Sequence, residues 1–445
     1  MSFTYISFIY YFLPLFLLGF YLLPRRLRTG WLCAASLLFY AWGGLKDLAV
    51  LLVLTLACFA FSRLQIKTGK GSAAGAVFCL AVLAAFKYFE TPFGFPLGVS
   101  FYTFHLVSYL IDVRRDPSRV GNFGTLFTYV LMFPKLVMGP IVTWHDLSAQ
   151  MEQAEPDIGA LSEGLFRFAV GLGKKTLLAM QLAPITESLW MDAPNSGFSA
   201  WLGIICYTLQ LYFDFSGYSD MAIGIGKAIG LDFGENFLHP YCSHSVSEFY
   251  RRWHASLGNW FKEYLYYPLG GNRKGNARTL LNIMIVWLAT GIWHGNTLNF
   301  PVWGVGLGII ICLERVTGLS KKKEGPVLRL WTVFWVMMGW VMFNAADLPA
   351  ALDYYRCLFH PAAFAETHAL QTALHDSWYV IAAALIGTTP YVRDRFRAFA
   401  GTKLLQGKSE LGKNIAMAAG FAVLLAVSTV IIINSGFSAF IYTKF

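Results

Sequence analysis

The sequence is poor in charged residues, and this scarcity excludes most classes of soluble protein. Asp, Glu, Lys and Arg make up 13% of the 445 residues, whereas hydrophobic residues make up 56%. A typical soluble domain is about 25% charged. The apolar runs at residues 8–23 and 415–433 approach the roughly 20 residues that a helix needs to cross a bilayer. The composition therefore predicts an all-α polytopic membrane protein.

Paired cysteines are also lacking, and so is any long polar segment. The seven cysteines are scattered, mostly within apolar runs, and no CxxC motif occurs, so we expect them to be small core residues. The longest non-apolar segments, around residues 146–160, 346–375 and 393–413, are too short to build an independent core. The chain is therefore predicted to be a single membrane-embedded domain over residues 1–445.

The net charge of +10 does not indicate a nucleic-acid partner, because the basic residues cluster between apolar runs. Arg25, Arg26 and Arg28 form one such cluster. Cytoplasmic loops of membrane proteins carry an excess of Lys and Arg. If the N-terminus lies outside and each long run crosses once, most of the clusters fall on the cytoplasmic side.

Glycine and proline interrupt some of the apolar runs. The segments PFGFPLGVSFYTF at residues 92–104 and FPKLVMGP at residues 133–140 contain both. Such breaks are tolerated at membrane depth only where protein or a water-filled cavity covers the freed backbone groups. They indicate re-entrant half-helices around an internal cavity, or else ordinary kinks.

Residues 247–267 have the pattern of one amphipathic helix. Its apolar and aromatic residues recur at the spacing of a single helix face, and they are Trp253, Leu257, Trp260, Tyr264 and Tyr267. This pattern suits a helix in the membrane interface or one packed along the core. His254 lies on the flank of the stripe. It could belong to a functional site, or it could have a structural role as a helix cap or hydrogen-bonding residue.

Two carboxylates follow an apolar run in the segment YFDFSGYSD. Asp214 and Asp220 flank Tyr218 and Ser219. A carboxylate in apolar surroundings is costly unless it is paired or hydrogen-bonded. We therefore expect these four residues to form a polar, substrate-binding pocket. No spacing in the chain resembles a known metal cage, so no metal site is predicted.

A basic segment provides a second candidate site, with Arg251 and Arg252 before the glycine pair Gly270 and Gly271. Asn, Arg and Lys follow the glycines directly. A backbone nest with nearby cations can hold phosphate. The ordinary positive charge of a cytoplasmic loop explains these residues equally well.

The third candidate is His294 in the segment TGIWHGN, at a break between two strongly apolar runs. Its small neighbour Gly295 lets another segment or a ligand approach the ring. An ionisable residue inside a membrane is a functional hypothesis by default, and a neutral imidazole in an apolar site is a ready general base. A catalytic histidine and a structural, hydrogen-bonded histidine both fit the sequence.

Five motifs together resemble the membrane-bound O-acyltransferase family, and most of all its bacterial alginate O-acetylation branch. They occur in the family's order within residues 90–345. They are FYTFHLVSYLIDVRRD, FPKLVMGPIV, YTLQLYFDFSGYSDMAIGIGKAIGLDFGENFLHPY, EFYRRWHASLGNWFKEYLYYPLGGNRKG and LATGIWHGNTLNFPVWG. Two positions depart from the pattern: His105 stands where Gln is expected, and Asn344 stands where the branch has Arg.

The resemblance implies a bundle of about 11 membrane-spanning helices, with re-entrant and interfacial helices, around a central funnel or tunnel. It implies that His294 matches the family's catalytic histidine and that His254 matches the second histidine, in RRWH. In such chemistry a base takes the proton of the acceptor hydroxyl while polar groups steady the oxyanion. Asn296, Ser219 and Tyr218 are candidates for those polar groups.

The function implied is a membrane O-acyltransferase that moves acetyl from cytoplasmic acetyl-CoA across the bacterial cytoplasmic membrane for O-acetylation of an extracytoplasmic polysaccharide. Acetyl-CoA or another acyl thioester would be a substrate, no bound cofactor is expected, and a separate extracytoplasmic acetyltransferase is the expected partner. Export of D-alanine to teichoic acid from a carrier-protein thioester is an alternative within the family. A transporter or flippase without acyl chemistry is an alternative of another class, because broken helices and buried charges serve transporters too.

Overall fold

The computed structural model describes residues 2–321, 325–359, 366–391, 394 and 410–435. Throughout these residues the regular elements are helices, and extended pairing is limited to one isolated bridge between Phe237 and Trp253. The predicted all-α membrane fold is therefore confirmed.

Five of the described helices are long and apolar enough to cross a membrane. The qualifying segments are Leu45–Thr68, Gly71–Tyr88, Asn299–Val316, Pro326–Asn344 and Ile415–Asn434. Phe8–Leu22 and Trp378–Gly387 are apolar as well, but they are shorter. The larger number of spans expected from the sequence stays a prediction.

The chain forms two compact units. Among the described residues, the first contains 2–172, 218–235 and 414–435, and the second contains 173–217, 236–321, 325–359, 366–391, 394 and 410–413. A single domain over residues 1–445 stays a prediction.

The first unit has an aromatic core. Phe133 packs edge-on against Phe12 and Phe16, with ring centroids 5.2 and 5.1 Å apart. Aromatic pairs in this arrangement add to the stabilisation that burial alone provides. The described helices of this unit are Phe8–Phe12, Leu13–Leu22, Arg25–Ala41, Leu45–Thr68, Gly71–Tyr88, Val99–Arg115, Pro117–Val120, Phe123–Leu131, Phe133–Leu136, Trp144–Gln153, Ile158–Gly173, the end of Gly197–Ala228 and most of Glu410–Ser435.

The segment at residues 133–140 is irregular, as its proline and glycine residues indicate. Helix Phe123–Leu131 ends at Met132, and the short helix Phe133–Leu136 begins with a proline in its first turn. Proline lacks the N–H that would continue the preceding helix. A Cβ atom on Gly139 would lie 2.4 Å from the Lys135 Cα atom, so only glycine allows the chain to turn back this closely.

The second unit carries both histidines of the predicted site. Its described helices are Lys174–Ala179, Met180–Asp192, the first part of Gly197–Ala228, Pro240–Cys242, Val246–Arg252, Ala255–Phe261, Lys262–Tyr266, Gly275–His294, Asn299–Val316, Leu319–Lys321, Pro326–Asn344, Leu348–Phe359, His368–Asp376 and Trp378–Gly387. Two of these, Lys174–Ala179 and Lys262–Tyr266, are single π-helical turns.

The prediction of one continuous helix over residues 247–267 is wrong. Helix Val246–Arg252 ends before Trp253, and a new helix, Ala255–Phe261, follows His254. His254 has a φ of +46°, a left-handed conformation that crowds Cβ against the backbone in any residue but glycine. Side-chain periodicity reports only which face is apolar, and it cannot reveal such a backbone reversal.

The aromatic stripe on this segment is nevertheless mostly internal. Trp253, Leu257, Trp260 and Tyr264 are buried, while Tyr267 is 54% exposed. The four buried residues lie at the break and in the helices that follow it, Ala255–Phe261 and Lys262–Tyr266, because burial selects apolar residue types whether or not the helix is continuous.

Candidate active site

A cavity of about 400 Å³ lies within the second unit, and both His254 and His294 line it. The prediction that the two rings approach one cavity is confirmed. The cavity walls come from Val246–Arg252, Ala255–Phe261, Lys262–Tyr266, Gly275–His294, Asn299–Val316 and Pro326–Asn344, together with Trp253, His254 and Asn272.

His294 is the last residue of helix Gly275–His294 and is buried. Trp303 and Phe343 pack edge-on against its ring, with centroids 5.1 and 5.2 Å away. Trp293 adds a third edge contact at 4.7 Å. These aromatic contacts hold the imidazole in one orientation and surround it with apolar atoms.

Two glycines allow helix Asn299–Val316 to pack against the end that carries His294. A Cβ atom on Gly295 would lie 2.0 Å from the Phe300 ring, and one on Gly291 would lie 2.5 Å from the Phe300 carbonyl oxygen. Both positions therefore require glycine for steric reasons. Gly295, the small neighbour of His294 in the sequence, thus allows helix Asn299–Val316 of this chain to approach the imidazole ring.

His254 is held by Asn236, 18 positions earlier in the chain. The Oδ1 atom of Asn236 lies 3.1 Å from Nδ1 of His254 and accepts the main-chain N–H of Ser256 at 3.2 Å. A main-chain N–H can only donate, so the atom facing it is the amide oxygen. Nδ1 of His254 must therefore carry a proton, which leaves the lone pair of the neutral ring on Nε2.

The ring of His254 is neutral over the physiological pH range. Burial lowers the pKa of its imidazole to about 3, because the charged form would lose its hydration. Phe215 packs edge-on against the ring at 4.7 Å and reinforces these apolar surroundings. A neutral ring with Nε2 unprotonated can accept a hydrogen bond or a proton from a substrate.

The basic residues of RRWH have separate positions. Arg251 lines the cavity together with Lys262 and Arg315, and these three side chains are exposed. Arg252 instead forms an ion pair with Glu248 at 2.6 Å. Within the described part of the chain, the cavity wall includes Arg251 and does not include Arg252.

The two carboxylates expected in one polar pocket pair with different cations. Asp214 forms a buried ion pair with Lys175 in the second unit. Asp220, in the first unit, accepts from Arg167 at 2.8 Å, and Arg167 also binds Glu235.

The remaining predicted site residues lie in varied surroundings. Tyr218 and Ser219 are buried within the first unit, whereas Asn296 is exposed. The wall of the two-histidine cavity, among the described residues, contains none of these three and neither Asp214 nor Asp220. Their binding roles stay predictions. The described residues also contain no group of three or more His, Cys, Asp or Glu placed to hold a metal.

Sequence reasoning missed Glu314, a fully buried acid in helix Asn299–Val316. Its carboxylate accepts the main-chain N–H groups of Val246 and Ser247 at 2.8 and 3.1 Å, and Trp331 Nε1 donates to it at 3.2 Å. A carboxylate is favourable at the start of a helix. Glu314 thereby fixes the helix that precedes His254. The sequence did contain a signal for Glu314, because a lone acidic residue inside an apolar span indicates a functional or structural role.

Comparisons with known proteins agree with this geometry. Residues 32–320 match MBOAT, the membrane-bound O-acyltransferase family. A probable alginate O-acetylase, AlgI, of Pseudomonas putida is 38% identical over 386 residues, which cover 79% of this chain and 79% of the relative. A peptidoglycan O-acetyltransferase of Helicobacter pylori is 31% identical over 78% of this chain and 77% of its own length. A teichoic acid D-alanyltransferase of Bacillus subtilis is 26% identical over 53% of this chain and 63% of its own.

Proposed function

This chain belongs to the membrane-bound O-acyltransferase family, and on that basis we propose that it takes acetyl from cytoplasmic acetyl-CoA and passes it across the membrane for O-acetylation of an extracytoplasmic polysaccharide. The observation that carries the proposal is the single cavity lined by His254 and His294. The acetylating relatives support the acetyl group, since they are more similar to this chain than the D-alanyl relative is.

The cavity suits the thioester end of a donor. Its volume of about 400 Å³ is near the lower end of the roughly 300–1,000 Å³ found for ligand sites. That space admits a slender thioester arm but not a whole nucleotide-bearing donor. Arg251, Lys262 and Arg315 are the lining residues suited to the donor's phosphates, because guanidinium and ammonium groups bind phosphate oxygens by charge-assisted hydrogen bonds.

In the proposed step the oxygen of an acceptor hydroxyl attacks the thioester carbonyl carbon. A C–O bond forms, the C–S bond breaks, and the hydroxyl proton passes to the imidazole of His294 as general base. The imidazolium then returns this proton to the departing thiolate, which leaves as a neutral thiol. The edge-on contacts of Trp303 and Phe343 support this role, since a fixed ring loses little entropy on reaching the hydroxyl.

His254 is assigned to the donor side of the same cavity. With Nδ1–H donated to Asn236, its Nε2 carries the lone pair, which can accept a hydrogen bond from an amide of the donor arm. Arg251, which is proposed to bind the donor's phosphates, is three positions before His254 in the chain. A separate extracytoplasmic acetyltransferase would complete transfer to the polymer.

The donor is tested with inside-out membrane vesicles that contain either the wild-type chain or His294→Ala at equal abundance. We expect wild-type vesicles given labelled acetyl-CoA to release free CoA thiol and to accumulate label on luminal material. Equal thiol release from both preparations would contradict acetyl-CoA as the donor. Consumption of a D-alanyl carrier-protein thioester instead would favour D-alanine export, and turnover of neither thioester would favour a transporter.

The bond from His254 to Asn236 gives a prediction about pH. In Asn236→Asp a carboxylate accepts the Nδ1–H and stabilises the charged ring, which raises the pKa of His254. If transfer needs this ring neutral, the acidic limb of the pH–activity profile should move about 1–3 pH units higher. Because burial lowers the wild-type pKa of His254 to about 3, activity measured between pH 4 and pH 9 should show an acidic limb from this ring in Asn236→Asp and none in the wild type.

Asn236→Leu is the companion variant, since it removes the acceptor without adding charge. We expect it to lower transfer at every pH and to leave the acidic limb in place. An unchanged limb in Asn236→Asp, together with full activity in Asn236→Leu, would show that Asn236 does not control the protonation of His254.

A further inference from the structure

His294 is held by rings from two different helices. Trp303 belongs to Asn299–Val316, and Phe343 lies in the last turn of Pro326–Asn344. Their ring centroids are 5.1 and 5.2 Å from the centroid of the imidazole and 5.6 Å from each other. The orientation of the imidazole therefore depends on how these two helices are held together beside the cavity.

Apolar packing by itself leaves the position of Phe343 loosely defined. The hydrophobic effect that brings the rings together is non-directional. Edge-on aromatic pairs are favourable over centroid distances of about 4.5–7 Å, so the ring could shift by about an ångström and keep its contacts. A hydrogen bond is more restrictive, because it weakens steeply outside a narrow range of distance and angle.

Asn299 supplies a directional contact between the two helices. Its side chain is fully buried, and its Nδ2 atom donates to the main-chain carbonyl oxygens of Met342 at 2.8 Å and Ala345 at 3.1 Å. A carbonyl oxygen can only accept, so both amide N–H groups face this helix end. Carbonyl groups at the end of a helix lack partners within it, and Asn299 satisfies two at the end of Pro326–Asn344.

These two bonds act on both rings that hold His294. One acceptor directly precedes Phe343 in the chain and the other follows it by two positions, so the backbone that carries this ring is held on both sides. Asn299 is four residues before Trp303 on the same helix, and residues four apart lie on one helix face. A single side chain thus fixes Phe343 relative to Trp303.

We propose that Asn299 is a positioning residue for His294, because it joins the helix that carries Phe343 to the helix that carries Trp303. The inference rests on the proposed function, in which His294 is the general base. A displacement of about 1 Å near a reacting group can lower the rate about a hundredfold. Among the described residues, the cavity wall does not include Asn299, so this residue acts on turnover through its neighbours and not by touching the donor.

The test measures release of free CoA thiol by the full chain in inside-out vesicles over a range of acetyl-CoA concentrations, which gives kcat and KM separately. Asn299→Leu keeps a similar volume and removes both N–H donors. We expect kcat to fall about ten- to a hundredfold. KM for acetyl-CoA should stay unchanged, since the residues proposed to bind the donor's phosphates are intact and only the reacting geometry is altered.

Tyr354→Phe is the matched control. It also removes a buried donor to a main-chain carbonyl, that of Ala200 at 2.8 Å. Tyr354 lies in the second unit and is not among the described residues of the cavity wall. This variant should lower the thermal unfolding midpoint without lowering kcat, so it separates a general loss of stability from a loss of positioning.

A double variant identifies the route by which Asn299 acts. Once Phe343→Leu has removed the ring that Asn299 positions, adding Asn299→Leu should lower kcat no further, because two changes that act through one contact are not additive. If Asn299→Leu does not fold, Asn299→Ser replaces it in every comparison, since its smaller side chain keeps at most one of the two bonds.

Two kinds of failure are distinguishable. If the wild type releases thiol, then a kcat loss no larger than that of Tyr354→Phe, or losses that multiply in the double variant, would overturn the role of Asn299 alone. A wild type that releases no thiol from acetyl-CoA would overturn the proposed function, and this inference with it.

Discussion

Replacing His294 with alanine should abolish acyl transfer and leave the protein folded. A general base contributes about 10²- to 10⁴-fold to the rate of proton-transfer chemistry, so activity should fall by at least about a hundredfold. The ring is buried at the end of a helix and packs against Trp303 and Phe343. Its removal leaves these aromatic neighbours in contact with each other at 5.6 Å, so the local packing survives.

The measurement compares polymer acetylation in cells with the thermal unfolding midpoint of the purified variant. His375→Ala is a suitable control, because His375 is exposed on helix His368–Asp376 and should be dispensable. Acetylation near the wild-type level in His294→Ala would refute the catalytic assignment. A large drop in the unfolding midpoint would instead indicate the structural histidine that the sequence left open.

The largest expected effect on stability comes from the ion pair between Lys175 and Asp214. Both side chains are 2% exposed, so either charge left alone would remain in an apolar interior. Removing one partner of such a pair typically costs about 3–5 kcal/mol. Lys175→Met should therefore lower the free energy of unfolding by about that amount, as measured by unfolding in detergent.

Two further variants separate the ion pair from other causes. Lys175→Met/Asp214→Leu removes both charges and should recover most of the lost stability, since paired apolar residues of similar volume can replace a buried ion pair. Arg356→Met breaks the exposed pair with Asp353 and should change stability by less than about 1 kcal/mol. A double variant as unstable as Lys175→Met would show that one of the residues makes a further stabilising contact besides the ion pair.

The predicted substrate-binding group illustrates what one segment of sequence leaves undecided. Asp214 and Asp220 are close in the chain, and both needed partners, as their apolar surroundings required. The partners are two separate cations, Lys175 and Arg167. Local composition shows where a charge is buried and that its burial costs free energy. The identity of its partner depends on which distant segment packs against it.

The sequence alone determined the class of this protein and singled out His294 as a candidate catalytic residue. Scarce charge and long apolar runs indicate helices in a membrane, because backbone N–H and C=O groups surrounded by lipid can hydrogen-bond only to one another. His294 could be identified because an ionisable residue at a break in apolar sequence is rare. The membrane class and the unusual position of His294 are local properties, so composition and neighbouring residues are enough to predict them.

Only the tertiary structure decided how the histidines are held. The proton position on His254 depends on Asn236, 18 positions away, and the helix before it depends on Glu314, 68 positions from Val246. The helix break at His254 interrupts residues 247–267, whose apolar periodicity predicts one continuous helix. Helical periodicity relates residues three or four apart, so it carries no information about contacts at these separations. Those contacts form only when packing brings distant segments together, and the chemistry of the cavity depends on them.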